Sequence, residues 1–360
     1  MSFRIGPSIR MGSELSRVGY VIPWALCYVS LLLVGCSDSG TGPHGQPPNT
    51  IAVNEAVDTV LVCTWQGNRN AACSLAFDDS RSTHYTVAAP ELEARGFRGT
   101  FNLNTGGITD WTPWQNLSDR GHEIANHTRN HLNLSTLTAE QVEYEISQGK
   151  ADILANLHGV QQVPSFTYPF GASTPLSRTM AAKYHMNARG GGGVNPANPA
   201  DFMLIKGCGY SPPFSSENMN HNLDAALIIG GWYVSYLHSI GSDTIYCPLE
   251  VFRSHLDYIK QREDSVWVAP QGDVARYIRE RESFRYQIVG SSEVFLYVQT
   301  GLDPSTYNIP LTLRLVLKPG HPAIWISIDQ IKLAAPQGLD TLQVNVIPET
   351  VLPIRAQLMN

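Results

Sequence analysis

Short apolar runs alternate with amphipathic stretches between residues 58 and 281, and this alternation is what most constrains the fold. Strand-length apolar runs followed by helix-length amphipathic stretches predict βα units around a mostly parallel sheet. The segments 71–77, 99–103, 164–170 and 227–237 are predicted to be strands. Thr138, with Gln141 three residues later, predicts the start of a helix that keeps one apolar face until Gly159 ends it.

A different pattern begins after residue 282. The segments 294–298, 311–317, 323–328 and 342–347 alternate or are rich in β-branched residues, and Gly and Pro separate them. This pattern is typical of a small all-β, sandwich-like domain. The sequence therefore predicts an α/β domain at 58–282 and an accessory β domain at 283–360.

The first residues have the character of a targeting segment. Three arginines precede an apolar run at 18–34, and the run ends in Leu-Val-Gly directly before Cys36. This ending resembles a bacterial lipobox, which implies a signal peptide at 1–35 and a mature chain anchored to a membrane through lipidated Cys36. The alternative is a signal anchor that is not cleaved.

The segment 36–57 is rich in Ser, Gly and Pro near its start, a composition that predicts a flexible tether. Together with the lipobox, it predicts a protein of the bacterial cell envelope. The protein would be exported and held on the non-cytoplasmic face of the outer or the cytoplasmic membrane.

Four cysteines remain once Cys27 and Cys36 are set aside: Cys63, Cys73, Cys208 and Cys247. An even number in an exported chain permits two disulfides, and we expect 63–73 and 208–247. Free buried thiols are the alternative. Since no pair has C-x-x-C spacing, a metal ion would need other ligands.

The charge pattern argues against nucleic acid as a partner. The net charge is −6, and no run of Lys or Arg offers the basic stripe that phosphate binding needs. With 43% hydrophobic residues, the chain can build a sizeable core. A neutral polymer suits such a surface better than a polyanion does.

Asp78 and Asp79 directly follow the predicted strand 71–77. Active-site residues collect at the carboxyl ends of parallel strands, which makes the pair a candidate for chemistry. Taken alone, such a pair is more often a turn or a helix N-cap.

His127 and His131 are four residues apart, so on a helical turn both imidazoles would face one metal ion. Imidazole with carboxylate suits Zn²⁺, and Co²⁺ or Ni²⁺ is possible on ligand type. The nearby His122-Glu123 is not part of an H-E-x-x-H zinc-protease helix, because Asn126 stands where the second His is required.

Four segments carry a family resemblance: 74–79 (SLAFDD), 127–131 (HTRNH), 166–171 (FTYPFG) and 237–238 (LH). In this order and spacing they resemble the motifs of polysaccharide deacetylases with the NodB homology domain, also called carbohydrate esterase family four. The resemblance covers about 59–281. It implies a distorted (β/α) barrel with the active site at the carboxyl ends of its strands.

The resemblance also assigns roles to residues. It implies that Asp79, His127 and His131 bind the metal ion and that Asp78 is the general base. It further implies that the backbone N–H of Phe170 stabilises the oxyanion and that His238 protonates the leaving amine.

One position departs from the family pattern. Many members have Arg where this chain has Thr167, and that Arg normally holds the catalytic Asp. We hypothesise that Arg189 supplies the cation to Asp78 from the next loop.

Aromatic and neighbouring residues offer candidates for substrate contact. Tyr168 and Pro169 lie in the third motif, and Trp232 lies in the segment that leads to His238. Trp232 could stack on a sugar ring, although core packing is equally compatible with a large aromatic on a strand.

The expected function is metal-dependent removal of N-acetyl groups from an amino-sugar polysaccharide, with release of acetate. One alternative is an O-acetyl esterase acting on acetylated xylan, which would not need His238 as an acid. Another is a non-catalytic carbohydrate-binding protein on the same fold, prompted by Thr167.

Overall fold

The computed structural model describes residues 50–51, 56–241, 246–290, 294–321, 323–328 and 331–356. The predicted signal peptide, Cys36 and most of the predicted tether lie outside these residues. Within them, no helix combines the length and the apolar character needed to span a bilayer.

The strands fall into three sheets, and their bounds are as follows: β1 Thr50–Ile51, β2 Val57–Val62, β3 Ala71–Asp78, β4 Thr100–Leu103, β5 Glu123–Asn126, β6 Ser165–Thr167, β7 Asn187–Gly192, β8 Ile205–Gly209, β9 Trp232–Leu237, β10 Val266–Val268, β11 Arg285–Val289, β12 Val294–Gln299, β13 Leu311–Leu317, β14 Ile324–Ile328, β15 Ile331–Ala335, β16 Thr341–Val346 and β17 Thr350–Ala356.

The helices all precede β11, and their bounds are as follows: α1 Ala89–Glu93, α2 Thr112–Asp119, α3 Ala139–Asn156, α4 Pro175–Tyr184, α5 Ser216–Ile229, α6 Leu249–Lys260 and α7 Gln271–Ser283. A π-helical turn, His84–Ala88, leads into α1. The predicted capping box is confirmed: Gln141 N donates to Thr138 Oγ1, and Thr138 N donates to Gln141 Oε1.

Seven parallel strands, β3 to β9, form a closed barrel. Each strand pairs with the next along the chain, and β9 closes the ring by pairing with β3 over the register Ala72↔Trp232 to Phe77↔Leu237. Strand β10 adds to β3 outside the ring. The predicted (β/α) barrel is confirmed, and its closure brings the carboxyl ends of non-consecutive strands to one mouth.

The C-terminal strands form the predicted β region. One sheet has the order β1-β11-β12-β17-β14-β15, and a second has the order β16-β13-β2. Inward residues of both sheets, such as Leu296 and Leu313, belong to one hydrophobic core that also includes Trp232 of the barrel. The two sheets therefore pack as a sandwich against the barrel.

Strand β2 belongs to this sandwich, although the predicted boundary at 58 assigns it to the barrel domain. It pairs antiparallel with β13, from Leu313↔Val62 to Leu317↔Val57. Two further bonds extend the contact, from Cys63 N to Thr312 O at 2.8 Å and from Gly67 N to Thr312 Oγ1 at 2.7 Å. The barrel itself begins at β3.

The expected disulfides are wrong. All four cysteines among the described residues are buried free thiols. Cys63 hydrogen-bonds to β13 of the sandwich, whereas Cys73 lies inside β3 of the barrel. The backbone of Cys208 pairs with that of Ser235 on β9, and the backbone of Cys247 forms an isolated β-bridge with Ile240. Cys73, Cys208 and Cys247 share one hydrophobic core of the barrel without forming a disulfide, and Cys63 lies outside that core.

One expectation from composition also fails. The apolar segment 227–237 was expected to be one strand, but α5 continues to Ile229 and ends at Gly230, whose φ of 64° is left-handed. The run of glycines at 190–193 is largely in a strand, because β7 extends through Gly192. On the neighbouring strand β8, Gly207 and Gly209 leave space for the side chains of Arg189 and Tyr236.

Candidate metal centre and active site

The mouth of the barrel gathers polar side chains from separate strands. Asp78 is the last residue of β3, His127 follows β5, Arg189 lies in β7 and His238 follows β9. These four, together with Asp79 and His131, line one cavity of about 420 Å³. The geometry therefore brings together residues that are up to 160 positions apart, from Asp78 to His238.

Asp79, His127 and His131 form the candidate metal centre. Asp79 Oδ1 lies 3.5 Å from His127 Nε2 and 3.2 Å from His131 Nε2. Burial alone would raise the pKa of Asp79, but the two imidazoles outweigh burial and hold it well below its usual value. The carboxylate is therefore ionised beside two imidazole nitrogens.

These three residues fit a metal ion. Their candidate ligand atoms lie within 4.8 Å of one another. Two ligands of one tetrahedral ion, each ~2.1 Å from it, stand roughly 3.4 Å apart, close to the separations observed here. Asp79 Oδ1 is buried and has no hydrogen-bond partner among the described residues, as expected of an atom reserved for an ion.

The two histidines lie in a loop, which corrects the expectation of a helical turn. His127 directly follows β5, and φ is positive at Thr128 (67°) and at His131 (56°). Thr128 Oγ1 accepts from His131 N at 3.0 Å, so it braces the loop. His127 Nδ1 lies 2.8 Å from Thr167 O, which leaves Nε2 as the nitrogen that faces Asp79.

Helix α3 supports this loop through residues that sequence reasoning did not single out. The carboxylate of Glu145, only 2% exposed, accepts from Asn130 N at 2.7 Å and from Asn130 Nδ2 at 2.6 Å. Asp152 accepts from Arg129 Nη1 at 2.6 Å. Glu145 follows Val142 by three residues on the buried face of α3, and a carboxylate at such a position was the available signal.

Asp78 is buried beside a cation. Arg189 Nη2 lies 2.7 Å from Asp78 Oδ1 and 2.6 Å from Oδ2, and Asn102 Nδ2 donates to Oδ1 at 2.8 Å. Burial pushes the pKa of Asp78 up, but Arg189, His127 and His238 together lower it below its ordinary value. Asp78 is thus a buried carboxylate held in its ionised form.

The barrel register explains how Arg189 reaches Asp78. Arg189 pairs with Thr167 across β6 and β7, so it stands on the strand next to the position where the family pattern has Arg. It lies in a strand rather than in the loop we expected. A Cβ at Gly207 would come within 2.7 Å of Arg189 Cδ, so this glycine makes room for the side chain. The guanidinium lies 3.9 Å from the ring centre of Tyr236.

Phe170 stands at the lip of the cavity. Its side chain is 71% exposed, and its ring centre lies 4.7 Å from that of His131. Its φ of 61° is unusual for a residue with a side chain and turns the chain sharply after β6. Of the two neighbours that the sequence suggested for substrate contact, Tyr168 lines the cavity but is 1% exposed, and Pro169 is buried.

Trp232 does not reach the cavity. It is fully buried, its Nε1 donates to Ser74 Oγ at 3.0 Å, and it packs in the core shared with the sandwich. Of the two roles that the sequence left open for Trp232, the structure supports core packing and not contact with a sugar ring. On the same strand, Tyr236 lies nearer the carboxyl end and does line the cavity.

Arg81 and Tyr246 also line the cavity, and sequence reasoning missed both. Arg81 Nη2 lies 3.4 Å from Asp79 Oδ2, and its side chain is 53% exposed. Its position two residues after the Asp pair was the available signal. Tyr246 follows β9 at a distance that no motif marked.

Part of the chain is similar to known proteins. The family model described as polysaccharide deacetylase matches residues 66–188. A gellan lyase from Bacillus sp is 25% identical over 283 residues, which is 71% of this chain and 11% of that protein. A chitin deacetylase from Arthroderma benhamiae is 28% identical over 228 residues, 60% of this chain and 53% of that protein. The chain thus spans between about a tenth and about a half of these curated relatives.

Among solved structures, a family 4 carbohydrate esterase from Streptomyces lividans in complex with acetate is similar. The match has a TM-score of 0.42 and 17% identity, and it covers 56% of this chain and 92% of that one.

Proposed function

Because residues 66–188 belong to the polysaccharide deacetylase family, we propose that the protein is a metal-dependent hydrolase that removes N-acetyl groups from an amino-sugar polysaccharide. Chitin, peptidoglycan and poly-N-acetylglucosamine are polymers of this type. The observation that best supports the proposal is that the Asp79, His127 and His131 cluster shares one cavity with the Asp78–Arg189 pair and His238.

Asp79, His127 and His131 would hold the metal ion, for which Zn²⁺ is our proposal on ligand type, with Co²⁺ and Ni²⁺ as substitutes. When bound, such an ion lowers the pKa of a water molecule and polarises a carbonyl group. The hydrogen bond from His127 Nδ1 to Thr167 O fixes the ring so that Nε2 faces Asp79 and would be free to bind an ion.

Asp78 is the proposed general base. Its carboxylate is kept ionised by Arg189 and held in place by Asn102, so it can accept the proton of an attacking water molecule. Because both supporting side chains are themselves buried, the carboxylate loses little freedom when substrate arrives.

Phe170 and His238 would act on the other atoms of the acetamide. The N–H of Phe170 would donate to the oxyanion that forms on the acetyl carbon, and the sharp turn at this residue sets where that N–H points. His238 would give a proton to the departing nitrogen as the C–N bond breaks, leaving acetate and a free amine.

Acetate release tests the proposal directly. The purified chain loaded with Zn²⁺ should release acetate from chitin oligomers, and a chelator should abolish the release until Zn²⁺ is restored. Faster release from acetylated xylan than from chitin oligomers would replace the proposal with the esterase alternative. No release from either, with metal bound, would favour a non-catalytic carbohydrate-binding protein.

We also propose that the protein is exported and anchored in the bacterial envelope through Cys36, a proposal supported by the sequence before residue 50. Cys36→Ala should release the exported chain from membranes into the soluble fraction. Cys27→Ala, within the apolar run, is the matched control and should leave the chain membrane-bound.

A further inference from the structure

His84 is a buried histidine that no motif includes. It is fully buried at the start of the π-helical turn after β3. Its ring centre lies 5.7 Å from Phe77, 5.8 Å from Phe101 and 6.1 Å from Trp114. It thus occupies an aromatic box in which a polar side chain is unexpected.

The polar contact of His84 leads to the active site. Its Nε2 lies 2.6 Å from the carbonyl oxygen of His238. Because a carbonyl can only accept, Nε2 carries the hydrogen and donates it. Burial lowers the pKa of His84 to about 4, so the ring is neutral at neutral pH and Nδ1 carries no proton.

This arrangement has a cost that a simple packing role does not explain. Nδ1 is buried and has no hydrogen-bond partner within the described part of the chain. Leaving a buried polar atom unpaired costs ~1–3 kcal/mol, which a Phe in the same box would avoid. What His84 provides and a Phe would not is one hydrogen bond to the main chain of His238.

The chain around His238 is fixed from two sides. On the side of His84, Ile240 N donates to Thr83 Oγ1 at 3.4 Å. On the opposite side, Cys247 N donates to Ser239 O at 3.0 Å, and Gly241 N donates to Cys247 O at 3.0 Å. His84 and Thr83 therefore tie the segment after β9 to the segment after β3, which begins with Asp79.

We propose that His84 is a positioning residue that sets the main chain of His238, and through it the placement of the imidazole against the leaving nitrogen. The inference rests on the proposed function, because it concerns proton delivery by His238. A general acid must lie within hydrogen-bond reach of its target, and a misplacement of ~1 Å can cost ~10²-fold in rate. Thr83 contributes the weaker part of the same contact.

The test compares two leaving groups. Amide hydrolysis of a chitin pentamer needs a proton on the departing nitrogen, whereas hydrolysis of 4-nitrophenyl acetate releases a phenolate that needs none. His84→Phe keeps the aromatic box and removes the donor. We expect kcat on the pentamer to fall ~10–100-fold, with KM little changed and aryl acetate hydrolysis within about 2-fold of wild type.

His84→Gln is the conservative variant, since its Nε2 amide can still donate to the His238 carbonyl, and it should recover most of kcat on the pentamer. Thr83→Val should lower kcat on the pentamer by a smaller factor and also leave aryl acetate hydrolysis unchanged. This variant tests the inference if His84→Phe folds poorly. His255→Phe is the matched control, because His255 is also fully buried but bonds to Asn220 on α5. It should not change the ratio of the two rates.

A double variant separates positioning from packing. If His84 acts through His238, then His84→Phe placed on a His238→Ala background should cause no further loss on the pentamer. Hydrogen exchange gives a readout apart from activity: peptides covering 238–247 should exchange faster in His84→Phe and not in His255→Phe.

Two outcomes would overturn the inference: an unchanged kcat on the pentamer in both His84→Phe and Thr83→Val, or an equal loss on both substrates. A wild-type enzyme that cleaves neither substrate with Zn²⁺ bound would instead refute the proposed function.

Discussion

The two ends of the barrel treat a buried carboxylate in opposite ways. At the carboxyl end, Asp78 is 3% exposed, faces Arg189 and has a lowered pKa. At the amino end lies α7, whose Gln271 N donates to Thr100 at the start of β4. On that helix Glu280 is fully buried, and burial raises its pKa to about 8.

The difference lies in the partners and not in burial. Asp78 receives a guanidinium and an amide, whereas Glu280 Oε1 accepts from Ile309 N at 3.0 Å and its Oε2 has no hydrogen-bond partner in the described ranges. A charge-neutralising partner keeps a buried carboxylate ionised and chemically useful. Arg276 lies near Glu280 but forms its ion pair with Asp273, so burial prevails and the carboxyl group of Glu280 is protonated at neutral pH.

The largest effect should follow from removing a metal ligand at the carboxyl end. His127→Ala should reduce bound Zn²⁺ from ~1 ion per chain to near zero and abolish acetate release. Metal analysis after dialysis measures this. His122→Ala is the control, since His122 is buried five residues earlier and pairs with Glu93, and it should keep the ion. Full metal content in His127→Ala would remove this residue from the centre.

Neighbouring carboxylates at this end should separate metal binding from proton transfer. Asp78→Asn should keep Zn²⁺ and lose ~10²–10⁴-fold in kcat, because Asn cannot accept the proton. Asp79→Asn should lose the ion. Metal content and kcat measured on the same preparations decide the matter, and metal loss in Asp78→Asn would contradict the assignment.

Removing the cation at this end should make Asp78 resemble Glu280. Arg189→Met leaves a buried carboxylate unpaired, which we expect to cost ~3–5 kcal/mol of unfolding free energy and to lower kcat sharply. Arg189→Lys keeps the charge with fewer donors and should fall between. In the Asp78→Asn/Arg189→Met double variant, most of the lost free energy of unfolding should return. Denaturant unfolding measures this, and a double variant no more stable than Arg189→Met would contradict the prediction.

The smallest effect is expected at the amino end. Because the pKa of Glu280 is about 8 in the folded protein and lower when unfolded, its stabilisation is complete at low pH and is lost as pH rises towards 8. The free energy of unfolding of wild type should therefore fall between pH 5 and pH 8, and that of Glu280→Gln should not. By pH 8 the variant should be more stable relative to wild type, by ~1–3 kcal/mol, than it is at pH 5. Unfolding curves of wild type and Glu280→Gln across this pH range test the prediction. Acetate release should be unchanged in the variant. If the free energy of unfolding of both proteins varies with pH in the same way, the pKa of Glu280 is not raised.

The sequence predicted the features that depend on local pattern. The strand 71–77, the helix after Thr138 and the barrel class could be read from apolar spacing and capping residues, and the ordered motifs selected the residues that now line one cavity. The His127–His131 loop was expected to be helical, because four-residue spacing suits a helix. The structure instead reaches the same geometry through positive φ at Thr128 and His131.

What the sequence did not reveal depends on contacts between distant strands. The placement of Arg189 against Asp78 follows from the register of β6 and β7 and from the space at Gly207, neither of which has a local signature. Trp232 was ambiguous for a similar reason. Trp232 and Tyr236 face the same side of β9, and only their positions along the strand place Trp232 in the core and Tyr236 at the cavity. The apolar run at 227–237 hid a helix end, although Gly230 marked it.

The pairing of β2 with β13 has a mechanical consequence. The strand that precedes the barrel is hydrogen-bonded to a strand more than 240 residues later, from Val62 to Leu313. A pulling force applied to the chain before residue 57 would therefore load the three-stranded sheet before it reached β3 and the metal centre. The sandwich would bear the force before the barrel does. A shortened chain ending at 283 would leave Val57 and Val60 without the strand that covers them.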